Sequence, residues 1–121
     1  MTIPPITLHT GRIIGKGLPA YIVAEIGSNH DGELERAKKL IREAKESGAD
    51  AVKFQSFQVQ NLINPKWQSN GRWEPDPSWE GLKRLSIPEE WHSELQQEAA
   101  NLGIDFISTP YDLERLKLLV D

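Results

Sequence analysis

Three short apolar runs along the chain alternate with three stretches in which apolar residues recur every three or four positions. The runs, at residues 21–25, 51–55 and 104–108, have the length of buried strands. The recurring apolar positions line one face of a helix in each stretch. They are Leu34, Ala37, Ile41 and Ala44, then Trp91, Leu95, Ala99 and Leu102, then Leu113, Leu116 and Leu119. We therefore predict an α/β fold of three consecutive βα units, because right-handed crossovers through helices build a parallel sheet.

Capping and turn-forming residues mark the ends of the predicted helices. Asp31 is placed to cap the first helix, and Gly48 follows its last turn. The sequence Ser86-Ile-Pro-Glu89 fits a capping box for the second helix, which Gly103 ends. Asp112 is placed to cap the third helix. We expect the helices to begin and end at these positions.

Two segments lie outside the repeating pattern. Residues 4–18 carry short apolar stretches around Thr10-Gly11, which predicts a β-hairpin that caps the main domain. We therefore divide the chain into an N-terminal hairpin or cap, residues 1–19, and the βα units, residues 20–121. Residues 56–80 scatter Asn, Gly and Pro among three tryptophans, which predicts a long loop without regular structure that is functional or mobile.

Composition and charge exclude several classes of protein. Hydrophobic residues make up 38% of the chain and charged residues 26%, as in ordinary globular proteins. The net charge is −4 and no basic cluster is present, so we expect no nucleic-acid partner. No apolar run approaches the roughly 20 residues needed to cross a membrane. The first residues lack the basic and apolar regions of a secretory signal, so we expect a cytoplasmic protein. The absence of cysteine excludes disulfides and a cysteine nucleophile.

Polar residues stand at the carboxyl ends of the predicted strands, where parallel α/β enzymes bind their ligands. Glu25 ends the first strand, Lys53 and Gln55 lie on the second, and Thr109 follows the third. A lysine inside an apolar strand is unfavourable unless an anion accompanies it. Lys53 is therefore either a ligand for an anion or an outward-facing residue whose stem packs under a helix. Glu25 is either functional or a structural partner for Lys53, and the two roles are compatible.

Three motifs resemble the opening of the N-acetylneuraminate (sialic acid) synthase family. They are Ala24–Gly32 (AEIGSNHDG), Gly48–Gln55 (GADAVKFQ) and Phe106–Tyr111 (FISTPY). The resemblance implies a TIM (β/α)8 barrel followed by a small antifreeze-like domain, in a homodimer. The chain has 121 residues, about half the length of such a barrel. We therefore expect it to hold the first three of eight βα units and to be cut short.

The resemblance also implies a reaction. Synthases of this family join phosphoenolpyruvate to an open-chain N-acylamino sugar such as N-acetylmannosamine. Phosphate is released, and a nine-carbon 2-keto acid forms for carbohydrate and polysaccharide biosynthesis. The family's divalent metal, manganese or magnesium, is held by two histidines from later strands, so we expect no metal ligands in this chain. His9, in the hairpin, and His92, expected on a helix surface, have no second ligand at a suitable spacing.

The resemblance assigns roles to individual residues. Lys53 is a ligand for phosphoenolpyruvate, and Glu25 contacts the sugar hydroxyls and relays a proton. Gln55 either hydrogen-bonds the sugar or packs inside the barrel. Thr109 either binds phosphate or carboxylate oxygens or serves only as a turn residue before a proline. Tyr111 stands where many relatives carry a phenylalanine that packs on the acyl group of the sugar.

Further candidate residues lie in the loops. Asn29 and His30 follow the first strand, where the family has the same pair. Asn29 is a candidate substrate ligand, and His30 is either catalytic or structural. In relatives the long loop carries a sugar contact, for which Asn70 and Glu74 are candidates here.

Two other functions are compatible with the sequence. One is a class I aldolase barrel that uses Lys53 as a Schiff-base nucleophile. The other is a non-catalytic fragment that acts as an oligomerising or binding module, because three parallel strands alone expose a sheet edge and an apolar face.

Overall fold

A computed structural model describes residues 3–120 of the chain, which form seven strands and five helices. The outer limits of the two predicted segments, residues 1 and 121, lie outside this range. The strands are β1 (Ile6–Thr7), β2 (Ile13–Ile14), β3 (Val23–Gly27), β4 (Ala51–Ser56), β5 (Lys66–Ser69), β6 (Arg72–Pro75) and β7 (Asp105–Pro110). The helices are α1 (Leu34–Glu46), α2 (Val59–Leu62), α3 (Trp79–Leu85), α4 (Glu89–Leu102) and α5 (Leu113–Val120).

A parallel three-stranded sheet in the order β3-β4-β7 is the centre of the structure. Glu25 of β3 pairs in register with Lys53 of β4, and Gln55 of β4 pairs with Thr109 of β7. Helix α1 connects β3 to β4, and α4 leads into β7. The predicted α/β fold with a parallel sheet is therefore confirmed.

The two faces of the sheet have different surroundings, because successive side chains of a strand point to opposite faces. The face that carries Phe54 packs against α1 and α4. The core there consists of Ile26, Ala37, Ile41, Val52, Phe54, Ile87, Leu95, Ala99 and Ile104. Ion pairs join the two helices outside this core, Lys38 to Glu94 at 2.7 Å and Arg42 to Glu98 at 2.6 Å. Most side chains on the other face are half-buried or exposed; they include Val23, Glu25, Lys53, Gln55, Ile107 and Thr109.

Three of the predicted helix-end signals are confirmed. Gly48 and Gly103 adopt left-handed backbone conformations, with φ of 88° and 65°, directly after the first two long helices. The Asp112 carboxylate accepts a 2.8 Å hydrogen bond from the backbone N–H of Arg115. Helix α5 nevertheless buries Arg115, whereas Leu113 and Leu116 are exposed.

Two predicted caps are wrong. The residue that caps α1 is Glu33, and its side chain makes no capping hydrogen bond. Asp31 instead lies in the preceding turn with φ of 55° and forms a 2.8 Å ion pair with Arg84. The capping residue of α4 is Pro88, and the Ser86 hydroxyl donates to the carbonyl of Leu82 in the preceding helix. Both side chains serve tertiary or local contacts that compete with capping.

The prediction of a structureless segment at residues 56–80 is also wrong. Helix α2, the antiparallel pair β5 and β6, and helix α3 occupy it. Asn70 and Gly71, with φ of 49° and 76°, form the two-residue turn between β5 and β6. Asn-Gly is a strong signal for such a hairpin turn, because both central residues require positive φ. The turn signals in this segment therefore marked a hairpin and not a loop.

The predicted N-terminal hairpin is present, since β1 and β2 pair antiparallel with Ile6 opposite Ile14. Next to β2, Arg12 forms an ion pair with Asp50, and its guanidinium lies 5.1 Å from the centre of the Tyr21 ring. Asp50 also accepts a 2.7 Å hydrogen bond from the N–H of Ile22. These partners lie at the amino ends of β3 and β4. The hairpin is thus attached at the end of the sheet opposite to the carboxyl ends of the strands.

Tyr21 reinforces this attachment. Its hydroxyl donates a 2.7 Å hydrogen bond to the carboxylate of Asp105, the first residue of β7. Burial and this hydrogen bond raise the pKa of Tyr21 to about 12. The phenol therefore remains protonated and able to donate across the range in which the protein is expected to work.

Candidate active site

Glu25 and Lys53 form an ion pair in the middle of β3 and β4, on the face of the sheet away from the helices. The ammonium of Lys53 lies 2.7 Å from Oε2 of Glu25, and the two side chains are 38% and 46% exposed. They meet because the two residues pair in register on adjacent parallel strands and point to the face away from the helices. The alternative in which Lys53 packs under a helix is therefore wrong, and the predicted partnership with Glu25 is confirmed.

Gly27 leaves room beside this pair. It has a left-handed φ of 56°, and a Cβ at this position would lie 3.3 Å from Oε1 of Glu25 and 3.5 Å from Nε2 of Gln55. The second carboxylate oxygen and the amide group therefore approach the same space. A side chain at residue 27 would fill that space and strain the backbone.

Thr109 completes a group of four polar residues on this face. It is exposed and pairs in register with Gln55, so its side chain points to the same side of the sheet. An ammonium, a carboxylate, an amide and a hydroxyl are thus presented together on three adjacent strands. Such a set can bind a small anion together with a hydroxylated molecule, because it offers both charged and neutral hydrogen-bonding groups.

The structure does not bring His30 into this group. The His30 side chain is fully buried, and its ring lies edge-on to Trp91 of α4 with the ring centres 5.8 Å apart. Nδ1 accepts a 3.1 Å hydrogen bond from the N–H of Gly32. Among residues 3–120, Nε2 has no hydrogen-bond partner. These contacts hold the loop after β3 against the helix layer.

The other predicted ligands are exposed near the strand ends. Asn29 is exposed in the loop after β3, and Tyr111 is 45% exposed directly after β7. The Tyr111 ring lies edge-on to Phe57, with the ring centres 5.9 Å apart. Asn70 and Glu74 are exposed in the β5–β6 hairpin.

A buried polar cluster behind the site was missed. His92, expected on a helix surface, is only 6% exposed, and its Nε2 lies 2.7 Å from the hydroxyl of buried Ser56. The expectation for His92 is therefore wrong. The signal was present, because His92 precedes Leu95 by three residues and so shares the buried face of α4. Strand alternation likewise places Ser56 on the same side as Phe54.

We expect stability to fall as the pH drops below about 6.5, because the protein buries two neutral histidines. Burial lowers the pKa of His30 and of His92 below the ordinary value of 6.5. In this interval the unfolded chain binds more protons than the folded chain, so the free energy of unfolding decreases on acidification. Urea unfolding at about pH 7.5 and about pH 5.5 measures this difference.

Two further comparisons separate this effect from that of the carboxylates. The pKa values of Asp50 and Asp112 lie below 3.8, mainly because a backbone N–H donates to Asp50 and the Asn61 side chain donates to Asp112. Their contribution is lost only at lower pH. His30→Gln and His92→Gln should each reduce the slope near neutral pH. Equal stability at the two pH values would contradict the expectation.

The described residues do not fit a divalent metal. Within residues 3–120, no three His, Asp or Glu side chains converge in a way that could hold one. No helix within residues 3–120 combines the length and the apolar character that crossing a membrane requires.

A model of the NeuB family matches residues 40–121. The chain belongs to the NeuB family. This match includes β4 and β7, and therefore the strands that carry Lys53, Gln55 and Thr109.

Several relatives of the chain are named as synthases. The chain is 42% identical over 111 residues to an N,N'-diacetyllegionaminic acid synthase of Legionella pneumophila, covering 88% of this chain and 31% of the relative. It is 36% identical over 104 residues to a pseudaminic acid synthase of Campylobacter jejuni, covering 82% of this chain and 30% of the relative. The chain is therefore similar to enzymes of carbohydrate biosynthesis and spans about a third of their length.

A solved NeuB-type structure has the same fold over nearly the whole chain. It is the N-acetylneuraminic acid (sialic acid) synthetase of Leptospira borgpetersenii in complex with citrate, with a TM-score of 0.79 and 28% identity. The alignment covers 96% of this chain and 37% of that chain. The resemblance to the sialic acid synthase family is thereby confirmed.

Proposed function

We propose that the chain supplies part of the active site of a NeuB synthase that joins phosphoenolpyruvate to an N-acylamino sugar. The observation that carries this proposal is the half-exposed Glu25–Lys53 ion pair on adjacent parallel strands, on the same face as Gln55 and Thr109. In α/β enzymes ligands bind at the carboxyl ends of the strands, toward which Gln55 and Thr109 lie. The names of the relatives support the class of product, and the polar face supports the class of substrate.

In this proposal Lys53 holds the phosphate or carboxylate of phosphoenolpyruvate. A charge-assisted hydrogen bond from an ammonium to such an anion is stronger than one between neutral groups. The incoming anion competes with Glu25 for the ammonium. The released carboxylate then lies beside Gly27, where it can accept hydrogen bonds from sugar hydroxyls and take up or return a proton.

Gln55 and Thr109 complete the binding of the two substrates. The Gln55 amide hydrogen-bonds the sugar, and the Thr109 hydroxyl donates to an oxygen of the phosphate or carboxylate. The exposed ring of Tyr111 packs against the acyl group. Asn29 is a further polar ligand, and His30 acts by holding the loop that presents Asn29 rather than by touching substrate.

The reaction requires two bonds to form and one to break. Carbon 3 of the enol attacks the aldehyde carbon of the open-chain sugar, and the aldehyde oxygen gains a proton. Water adds to carbon 2 with loss of one proton, which balances the proton gained by the aldehyde oxygen. Phosphate then departs with cleavage of the bond between carbon 2 and oxygen, and the second proton of the water leaves with it as the ketone forms. Positive charge develops at carbon 2, so the nearby carboxylate of Glu25 stabilises that stage electrostatically.

We also propose that the sheet continues as a (β/α)8 barrel, with these residues as its first three βα units, in a cytoplasmic homodimer. The exposed polar face is what supports a closed barrel, because this face becomes its interior. The exposed apolar residues of α5, Leu113, Leu116 and Val120, support further packing partners on that side.

The proposal is tested by titrating the isotope-labelled chain with phosphoenolpyruvate and following backbone amide signals by NMR. We expect the largest shifts at Glu25, Lys53, Gln55 and Thr109. Shifts confined to other surfaces would overturn the proposal.

Borohydride with pyruvate tests the aldolase alternative. The Lys53 nitrogen is held in an ion pair 2.7 Å from the Glu25 carboxylate and is not free to attack a carbonyl carbon, so we expect no covalent adduct on Lys53.

A further inference from the structure

Three polar side chains form a hydrogen-bonded chain on the helix side of the sheet, directly behind the candidate site. The Ser56 hydroxyl lies 2.7 Å from Nε2 of His92 and 2.5 Å from the hydroxyl of Ser108. Ser56 is fully buried and His92 is nearly so. Buried hydroxyl and imidazole groups are unfavourable unless they are hydrogen-bonded, and here each one has a partner.

The direction of these hydrogen bonds follows from the surroundings of His92. Its Nδ1 lies 3.1 Å from the backbone carbonyl oxygens of both Pro88 and Glu89. A carbonyl oxygen can only accept, so Nδ1 carries the hydrogen and Nε2 of the neutral ring is an acceptor. Ser56 must then donate to His92, and Ser108 must donate to Ser56. The hydrogen bonds therefore all point in one direction, from Ser108 of β7 through Ser56 of β4 to His92 near the start of α4.

This chain joins the two strands at the point where they carry candidate ligands. Ser56 follows Gln55 in β4, and Ser108 precedes Thr109 in β7. Gln55 and Thr109 pair in register on the opposite face of the sheet. The hydrogen bond between the two serines therefore holds the strand ends together immediately behind that pair. The backbone N–H of Tyr111 adds a 3.0 Å hydrogen bond to the carbonyl of Ser56.

We propose that Ser56, Ser108 and His92 are positioning residues that set the separation of Gln55 and Thr109 for ligand binding. This inference rests on the proposed function for the identity of the ligand. Apolar residues of similar size would fill the same volume, but they would leave the ends of the two strands joined by the backbone ladder alone and without a hydrogen bond to α4. The polar chain therefore supplies geometry that packing alone does not.

The test uses Ser56→Ala, which removes the middle of the hydrogen-bonded chain, and two replacements of His92. His92→Gln keeps an acceptor for Ser56 and a donor for the carbonyls, whereas His92→Leu keeps only the volume. We expect the Gln55 side-chain amide and Thr109 NMR signals to move in Ser56→Ala and His92→Leu, and to remain near their original positions in His92→Gln. We expect the Kd for phosphoenolpyruvate to rise about ten- to a hundredfold in Ser56→Ala and His92→Leu. This is the range expected when a ligand-binding group is misplaced by up to about 1 Å.

Matched controls on α4 separate positioning from general loss of stability. Leu95→Ala removes fully buried apolar volume from the same helix and should lower the melting temperature without moving the Gln55 and Thr109 signals. Ser93→Ala removes an exposed hydroxyl that donates to the carbonyl of Glu90. It should change neither the melting temperature nor the Gln55 and Thr109 signals. If Leu95→Ala moved the two signals as far as Ser56→Ala does, the effect would be general and the inference would be wrong.

The outcomes also separate this inference from the proposed function. If the original chain does not bind phosphoenolpyruvate, the proposed function fails, and the Gln55 and Thr109 signals of the variants still test positioning. If binding is present and both signals and affinity are unchanged in Ser56→Ala, positioning is refuted while the proposed function stands. The nitrogen shifts of His92 supply an independent check, since the inference requires a neutral ring protonated at Nδ1.

Discussion

Lys53→Met is expected to abolish phosphoenolpyruvate binding while leaving the fold intact. The substitution keeps most of the side-chain stem but removes the ammonium that we assign to the anion. Loss of one such charged contact typically reduces activity about 10²- to 10³-fold. The ion pair with Glu25 is half-exposed, so its loss should change the free energy of unfolding by no more than about 1 kcal/mol.

Calorimetric titration of the chain with phosphoenolpyruvate measures the loss of affinity. In a longer polypeptide that carries these residues and is catalytically active, the rate of phosphate release measures the loss of activity. Lys39→Met is the matched control, because Lys39 pairs with Glu43 at 3.6 Å on the exposed side of α1, away from the site. It should bind as the original chain does. Unchanged affinity in Lys53→Met would remove this residue from the site.

Phe54→Ala is expected to destabilise the protein by about 3–5 kcal/mol. Phe54 is fully buried in the central strand and lies 5.7 Å, centre to centre, from the ring of Phe106. Its removal leaves a cavity between the sheet and the helices that the surrounding residues can fill only in part. Because the free energy of unfolding of a small domain is about 5–15 kcal/mol in total, this loss is a large fraction of the stability and should populate the unfolded state.

Urea unfolding measures this loss. Trp73→Ala removes a larger side chain from the β5–β6 hairpin, where Trp73 is 65% exposed, so it should change stability by less than about 0.5 kcal/mol. Equal losses in the two variants would mean that the core does not lie where the structure places it.

The sequence was sufficient where short-range patterns decide the structure. The order of the three parallel strands and of α1, α4 and α5 follows from apolar spacing, and the glycines after α1 and α4 end those helices because they tolerate positive φ. The shared face of Lys53 and Gln55 follows from strand alternation. The N-terminal hairpin was also predicted correctly, although its attachment through Arg12 was not.

Features that depend on distant partners were not predicted correctly. Asp31 and Ser86 have residue types suited to capping, but Asp31 is drawn to Arg84 of α3 and Ser86 to the carbonyl of the preceding helix. The sequence near Asp31 gives no sign of Arg84, whereas the competitor of Ser86 is local, the carbonyl of Leu82 four residues earlier. His92 was misplaced for a different reason, since a histidine was treated as polar and the partner that makes its burial favourable lies 36 residues away.

For the candidate site, likewise, the sequence predicted individual residues but not the contacts between them. Glu25 and Lys53 each ended or interrupted an apolar run, so they were recognised one at a time, and the family resemblance brought them together. Their hydrogen-bonding distance depends on the register of β3 against β4, which no single strand encodes. The buried position of His30 against Trp91 likewise depends on how α4 packs over the loop.

The attachment of the N-terminal hairpin has a consequence for how this protein can change. Arg12, Tyr21 and Asp50 fasten the amino ends of the strands through contacts that involve none of the proposed ligands. The loops that follow the carboxyl ends of the strands can therefore accept insertions or substitutions without breaking the contacts at the amino ends. Substitutions around the proposed ligand-binding residues, in nature or in the laboratory, should accordingly change what the protein binds without loosening the attachment of the hairpin.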